Sequence, residues 1–234
     1  EAKQIAASAL VEQGKNLASK GEIEAAIEKF QQALNLDDTL DLDPETEAKQ
    51  IAASALVEQG KNLASKGEIE AATEKFQQAI QLDPTLDLDP ETEVQRILVS
   101  TLLKRGEELV EEEDYQTAIQ AYNLAEKIDP DLEISARDWN KICWYGSLNG
   151  EPKVALEACN KAVNLEPEAL GYRGNRGIAK ALTGDNEGAI EDFQAFLEGS
   201  ENETANQKIQ GYIDTLEAGE NPFTEAEIES LLDE

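Results

Sequence analysis

Residues 47–92 read EAKQIAASALVEQGKNLASKGEIEAATEKFQQAIQLDPTLDLDPET, and residues 1–46 are almost the same string. At that offset the two copies differ only at Ile27/Thr73, Leu34/Ile80, Asn35/Gln81 and Asp38/Pro84, so 42 of 46 positions agree. A third, diverged copy begins at Glu93. Self-similarity at a fixed period predicts an array of small supersecondary units, none of which can bury its apolar face without a neighbour. Inside the copy the apolar spacing is helical. Ile51, Ala55, Leu56, Leu63 and Ala64 mark one helix, Gly67 breaks it, and Ile69, Ala72, Phe76, Ala79 and Ile80 mark a second, which Asp83-Pro84 ends. Each unit is therefore a helix, a tight turn and an antiparallel helix, and the fold class is all-α.

The order Leu56, Gly60, Leu63, Ala72, Phe76, Ala79, Pro84 resembles the tetratricopeptide repeat, and it recurs as Leu102, Gly106, Leu109, Ala118, Tyr122, Ala125, Pro130. The first copy matches through Leu10, Gly14, Leu17, Ala26, Phe30 and Ala33, with Asp38 in place of the proline. A fourth unit has Trp139, Cys143, Gly146, Ala155, Cys159, Ala162 and Pro167; a degenerate fifth has Arg173, Gly177, Lys180, Ala189 and Phe193. The resemblance implies a right-handed helical-hairpin solenoid, an α-α superhelix, of five units at about 1–46, 47–92, 93–134, 135–168 and 169–198, with capping helices over 199–234. The small residues let paired helices approach and the aromatic fills the space that remains.

The 46-residue copies exceed the family's usual length of about 34 residues. With Asp89 as N-cap and Pro90 in the first turn, the extra residues lengthen the first helix of the next unit to roughly 20 residues, about 30 Å. Ser200 with Glu203, and Thr224 with Glu227, read as capping boxes opening two last helices, with Phe223 placed to staple onto Ile228. The tail also resembles C-terminal repeat regions of large bacterial, particularly cyanobacterial, multidomain proteins that carry signalling ATPase, protease-like or WD40 domains, which implies a sensor or adaptor arm. No Met occurs, and the opening Glu1–Gln4 equals mid-repeat Glu47–Gln50, so the chain is expected to be a piece of something longer.

The net charge of −30 is uneven. Residues 1–134 hold 30 acidic and 12 basic side chains, residues 135–184 hold 5 and 7, and residues 185–234 hold 15 and 1. Acidic flanks repel a phosphate backbone and an anionic membrane, so neither nucleic acid nor membrane is an expected partner. No apolar run long enough to span a bilayer and no leader segment is present, so a cytoplasmic protein is expected. His is absent, which removes the commonest general base and metal ligand, and no phosphate loop or metal spacing occurs. A non-enzymatic scaffold without cofactor is expected.

The resemblance implies that first helices carry the ligand-facing side chains. Aligned positions are Arg137, Asn140, Lys141 and Trp144 in unit four, and Asn175 and Ile178 in unit five, where Gly171 and Gly174 leave room. An aromatic beside Arg and Lys in an otherwise acidic chain is the composition of a binding hot spot, and it points to a peptide or protein partner with acidic and apolar residues. The competing role for Trp139 is packing between helices. The alternative function is self-association or autoregulation with no separate ligand. Only fragments of the family's carboxylate clamp, such as Asn175, are present. The acidic loop Asp37–Asp43 lacks the central Gly and terminal Glu of a calcium loop and reads as helix-capping carboxylates. Cys143 and Cys159 are expected to face one hairpin interior as core thiols, with a redox pair as the alternative.

Overall fold

The computed structural model describes residues 2–233 and, among them, contains α-helices and no strand. The helices are α1 (Ala2–Ser19), α2 (Ile23–Leu36), α3 (Pro44–Ser65), α4 (Ile69–Leu82), α5 (Pro90–Glu111), α6 (Tyr115–Ile128), α7 (Ala136–Leu148), α8 (Pro152–Leu165), α9 (Leu170–Thr183), α10 (Asn186–Gly199), α11 (Glu203–Glu217) and α12 (Glu225–Leu232). They divide into two compact units that meet inside α5, the first running to Thr101 and the second starting at Leu102.

In the first unit α1 pairs with α2 and α3 with α4, and α3 also packs on the preceding pair. Pro44 and Pro90 open α3 and α5, each 22 residues long, or about 33 Å. The sequence between hairpins is thus absorbed into the following helix, as its Asp-Pro starts predict. Asp89 accepts from the Thr92 amide at 3.1 Å. Asp37 and Asp83 accept from the amides of Thr39 and Thr85 at 3.1 and 3.0 Å. Hydrogen bonding to Thr39 and Thr92 holds the carboxyls of Asp37 and Asp89 below their ordinary value. These loop carboxylates close turns and caps, and no group of three metal-ligating side chains gathers among the described residues.

Four of the hairpins are closed by one repeated contact. A Cβ on Gly60 would lie 2.7 Å from the Phe76 ring, and equivalent overlaps join Gly14 to Phe30, Gly106 to Tyr122 and Gly177 to Phe193. The ring lies directly on the bare backbone of the facing helix, which only a residue without a side chain permits. Phe30, Phe76 and Phe193 are wholly buried. Around Phe30 gather Ala18, Ala26 and Ala48; around Phe76 gather Ala64, Ala72, Val94 and Ile97. Val94 and Ile97 of α5 therefore stand toward Phe76 as Ala48 and Ile51 of α3 stand toward Phe30.

The turn between the paired helices needs a left-handed residue. Gly67 supplies it at φ 79°, whereas the third hairpin puts Glu113 there at φ 62°. The third hairpin's turn thus contains a side chain in a backbone region that favours glycine.

In the second unit α7 pairs with α8, α9 with α10, and α11 packs on α10. Trp139, Ile142, Tyr115 and Tyr122 form the core around α6–α8, and Phe193, Tyr212, Ile213, Leu216 and Phe223 form that around α9–α12. One expected cap is different: Asn202, not Ser200, is the N-cap of α11 and accepts from the Ala205 amide at 3.1 Å, while Ser200 terminates α10. The second is half as expected: the Thr224 hydroxyl accepts from the Glu227 amide at 3.3 Å, but the Glu227 carboxylate turns to Tyr212 and Lys208 and the Thr224 amide donates to the Pro222 carbonyl, so the box is not closed.

The fourth hairpin lacks the ring-on-glycine contact. Cys143 stands where the others have glycine and Cys159 where they have the ring, and the two are joined by a disulfide with S–S 2.10 Å and Cα–Cα 4.7 Å. Both are fully buried. The expected core thiols are core residues, but bonded to each other.

Candidate functional site

Helical spacing sorts the second unit's side chains onto faces. On α7, Arg137, Asn140, Lys141 and Trp144 lie at i, i+3, i+4 and i+7 and share one stripe. Trp139, Ile142, Cys143 and Gly146 occupy the buried side. On α9, Gly171, Gly174, Asn175 and Ile178 repeat that spacing, and on α11 so do Ala205, Lys208, Ile209 and Tyr212. These three stripes form one face.

The α7 stripe, with Asp138 and Tyr145, lines a cavity of about 300 Å³. Arg137, Lys141 and Tyr145 are exposed, and Asn140 and Trp144 are half-buried. A second, more apolar cavity of about 140 Å³ lies alongside, walled by Trp144, the α9 stripe, Phe196, the α11 stripe and Leu231 of α12. Trp144 belongs to both walls. The Asn175 amide donates to Asn140 Oδ1 at 3.0 Å and ties the α9 stripe to the α7 stripe. Gly171 would meet nothing within 4 Å if it carried a Cβ, so the first turn of α9 is open.

All six candidate side chains therefore fall on one surface, although not alike. Ile178 is 5% exposed and packs with Phe193, so it forms the floor and not the rim. Trp139 lies away from this face, wholly buried, with its ring edge-on to Tyr122 at 5.4 Å and Lys161 Nζ 4.1 Å from its centre.

Beneath the α9 stripe is a buried ion cluster. Arg176 donates to both oxygens of Asp192 at 2.8 and 2.6 Å, and Lys180 reaches Asp192 at 2.8 Å. Burial pushes the Asp192 carboxyl up, but hydrogen bonds from Arg176 and Lys180 outweigh it and hold the group below its ordinary value. The cluster fixes α9 to α10 and so fixes where Asn175 stands.

Sequence reasoning missed the contribution of α11 and α12. Lys208 pairs with Glu227 at 3.4 Å, the Tyr212 hydroxyl donates to Glu227, and Leu231 lines the apolar cavity together with Trp144. The signal was available in the i, i+3, i+4, i+7 pattern at Ala205, Lys208, Ile209 and Tyr212, which reads equally well as the inner stripe of a cap.

Residues 99–132 match the family model of the tetratricopeptide repeat. No protein of curated function matches the chain. Among solved structures, the P58(IPK) TPR domain aligns over 97% of this chain and 56% of its own length, at 21% identity and a TM-score of 0.38. The protein described as Pseudomonas aeruginosa pilF aligns over 100% and 93%, at 16% identity and 0.36. MamA 41-end from Desulfovibrio magneticus RS-1 aligns over 82% and 94%, at 18% identity and 0.34. The chain thus spans little more than half the length of the P58(IPK) domain. The matched repeat lies on α5 and α6, and the same ring-on-glycine hairpin recurs before and after it, so the chain contains a tetratricopeptide repeat within a series of like hairpins.

Proposed function

We propose that the chain is a protein-interaction module whose α7–α9–α11 face holds a peptide segment bearing acidic and apolar residues, as the adaptor or sensor arm of a larger protein. Tetratricopeptide-repeat proteins are generally scaffolds for protein or peptide partners. The observation that carries the finer reading is the cavity of about 300 Å³ on α7, where the cationic Arg137 and Lys141 stand beside the half-buried indole of Trp144 in a chain of net charge −30. The indole offers a large rigid apolar contact and the two cations offer charge-assisted hydrogen bonds to a carboxylate. No described helix is long and apolar enough to cross a membrane. A disulfide closed in the core is the state an oxidising compartment favours, which weighs against the cytoplasmic location expected from composition.

The test is selection of a random peptide display library on the immobilised chain. Enriched peptides combine Asp or Glu with large apolar residues, and their affinity falls at least about tenfold on Trp144→Ala and on Lys141→Glu, with helicity unchanged. Equal binding by the parent and both variants refutes the assignment.

A further inference from the structure

The chain lays its own last helix on the face just described. α12 is eight residues, Glu225–Leu232, preceded by the staple residue Phe223 and the cap Thr224. It packs against α7. Leu231, 4% exposed, lines the apolar cavity together with Trp144, and Ile228 packs into the same cluster. Phe223 stacks on Tyr212 at 4.8 Å. Glu227 is held by Lys208 and the Tyr212 hydroxyl. The charged residues of this helix are all acidic, Glu225, Glu227 and Glu229 followed by Asp233, and no basic residue occurs in the segment.

We infer that α12 is a resident occupant of the Trp144 face, and that the partner this face accepts is an acidic amphipathic helix that displaces α12. The inference rests on the peptide-binding reading and narrows it. α12 has the chemistry that reading asks of a ligand: apolar anchors at helical spacing toward Trp144, and carboxylates toward a lysine. A helix of eight residues does not form alone in water, so its order comes from docking. Few apolar anchors hold it, and among the described residues no backbone hydrogen bond joins it to another helix. Segments so attached open at low free energy.

The geometry also says why a longer helix would win. The cavity of about 300 Å³ on α7 is lined by no residue of α12, and the cations Arg137 and Lys141 stand exposed there. An incoming helix with a carboxylate one or two turns beyond its Leu231-like anchor gains those contacts, which α12 does not make. Until then the short link from Glu217 to Glu225 keeps α12 at an effective concentration of about a millimolar, so a free helix of equal intrinsic affinity, with a Kd of about 10–100 μM, is suppressed about ten- to a hundredfold.

The experiment uses the full chain and a fluorescent synthetic peptide with the sequence of residues 221–234, followed by anisotropy. Leu231→Asp undocks α12 and lowers the peptide Kd at least tenfold relative to the unaltered chain. Glu227→Lys, which leaves the apolar anchors in place, gives a smaller gain, and adding Trp144→Ala to either variant removes it. Hydrogen exchange reports release directly, with residues 225–232 exchanging faster than α11 in both variants, and circular dichroism shows that the rest of the chain stays folded. If the peptide binds parent and variants equally and Trp144→Ala or Lys141→Glu weakens both, the resident role of α12 is wrong while the binding face stands. If the peptide binds no variant although exchange shows α12 released, the acidic amphipathic partner is wrong, and the face is left to the library selection.

Discussion

Asp192 offers the sharpest test of what positions the α9 stripe. Its side chain is 3% exposed and faces Arg176 and Lys180, themselves only 16% and 18% exposed. Asp192→Asn preserves the shape but removes the charge, leaving two cations side by side with no counter-charge and turning amide hydrogens toward the guanidinium. Breaking a fully buried pair in this way costs about 3–5 kcal/mol. The residual exposure of Arg176 and Lys180 reduces that to about 2–3 kcal/mol. Trp139 and Trp144 both lie in the second unit with Asp192, so indole fluorescence during urea unfolding follows that unit alone. With a slope of about 2 kcal/mol/M the midpoint falls by about 1–1.5 M. The pH dependence carries the sign. The folded carboxyl is held below its ordinary value, so its contribution is complete above 3.8 and is lost as the pH falls through the depressed folded value. The difference between parent and variant is therefore largest near neutrality and shrinks in strong acid. A midpoint shift below about 0.3 M, or a difference independent of pH, refutes the assignment of a stabilising charge cluster.

Two further outcomes are expected. Glu113 occupies a left-handed position at φ 62° where Gly67 serves in the preceding hairpin, so Glu113→Gly raises stability by about 0.5–1 kcal/mol, seen as a higher urea midpoint; a lower midpoint would contradict a strained turn. The disulfide closes a loop with a sequence separation of 16, so thiol titration of the denatured, unreduced protein finds no free thiol, and reduction lowers stability by about 3 kcal/mol. Two titrating thiols would show the bond to be absent.

The hairpins were legible because the copies repeat and because Gly67, Asp83 and Pro90 punctuate them where helices begin and end. The turn at Glu113 was less so, since its backbone conformation is imposed by the paired helices and not by the residue itself. At Cys143 and Cys159 the alignment put both side chains in one interior, yet sequence alone does not distinguish two packed thiols from one bond. The separation of 16, equal to that of Gly60 and Phe76, brings the two side chains together, and the structure shows them bonded. Where those two touch as ring on backbone, two cysteines meet sulfur to sulfur. The α7 and α9 members of the candidate face followed from the family register. The part played by Leu231 did not, because a last helix that packs on α7, far from it in sequence, leaves no periodic signal linking the two.

The pairing of Val94 and Ile97 with Phe76, in the places where Ala48 and Ile51 meet Phe30, bears on how such a protein can change length. Excision of residues 47–92 would bring α5 against Phe30, whose surroundings match those of Phe76 except at the few substituted positions. The seam would close on side chains already suited to it. Adding a copy would likewise create only a junction the chain already contains, so gene-level slippage in this stretch can lengthen or shorten the protein without requiring any new interface to evolve.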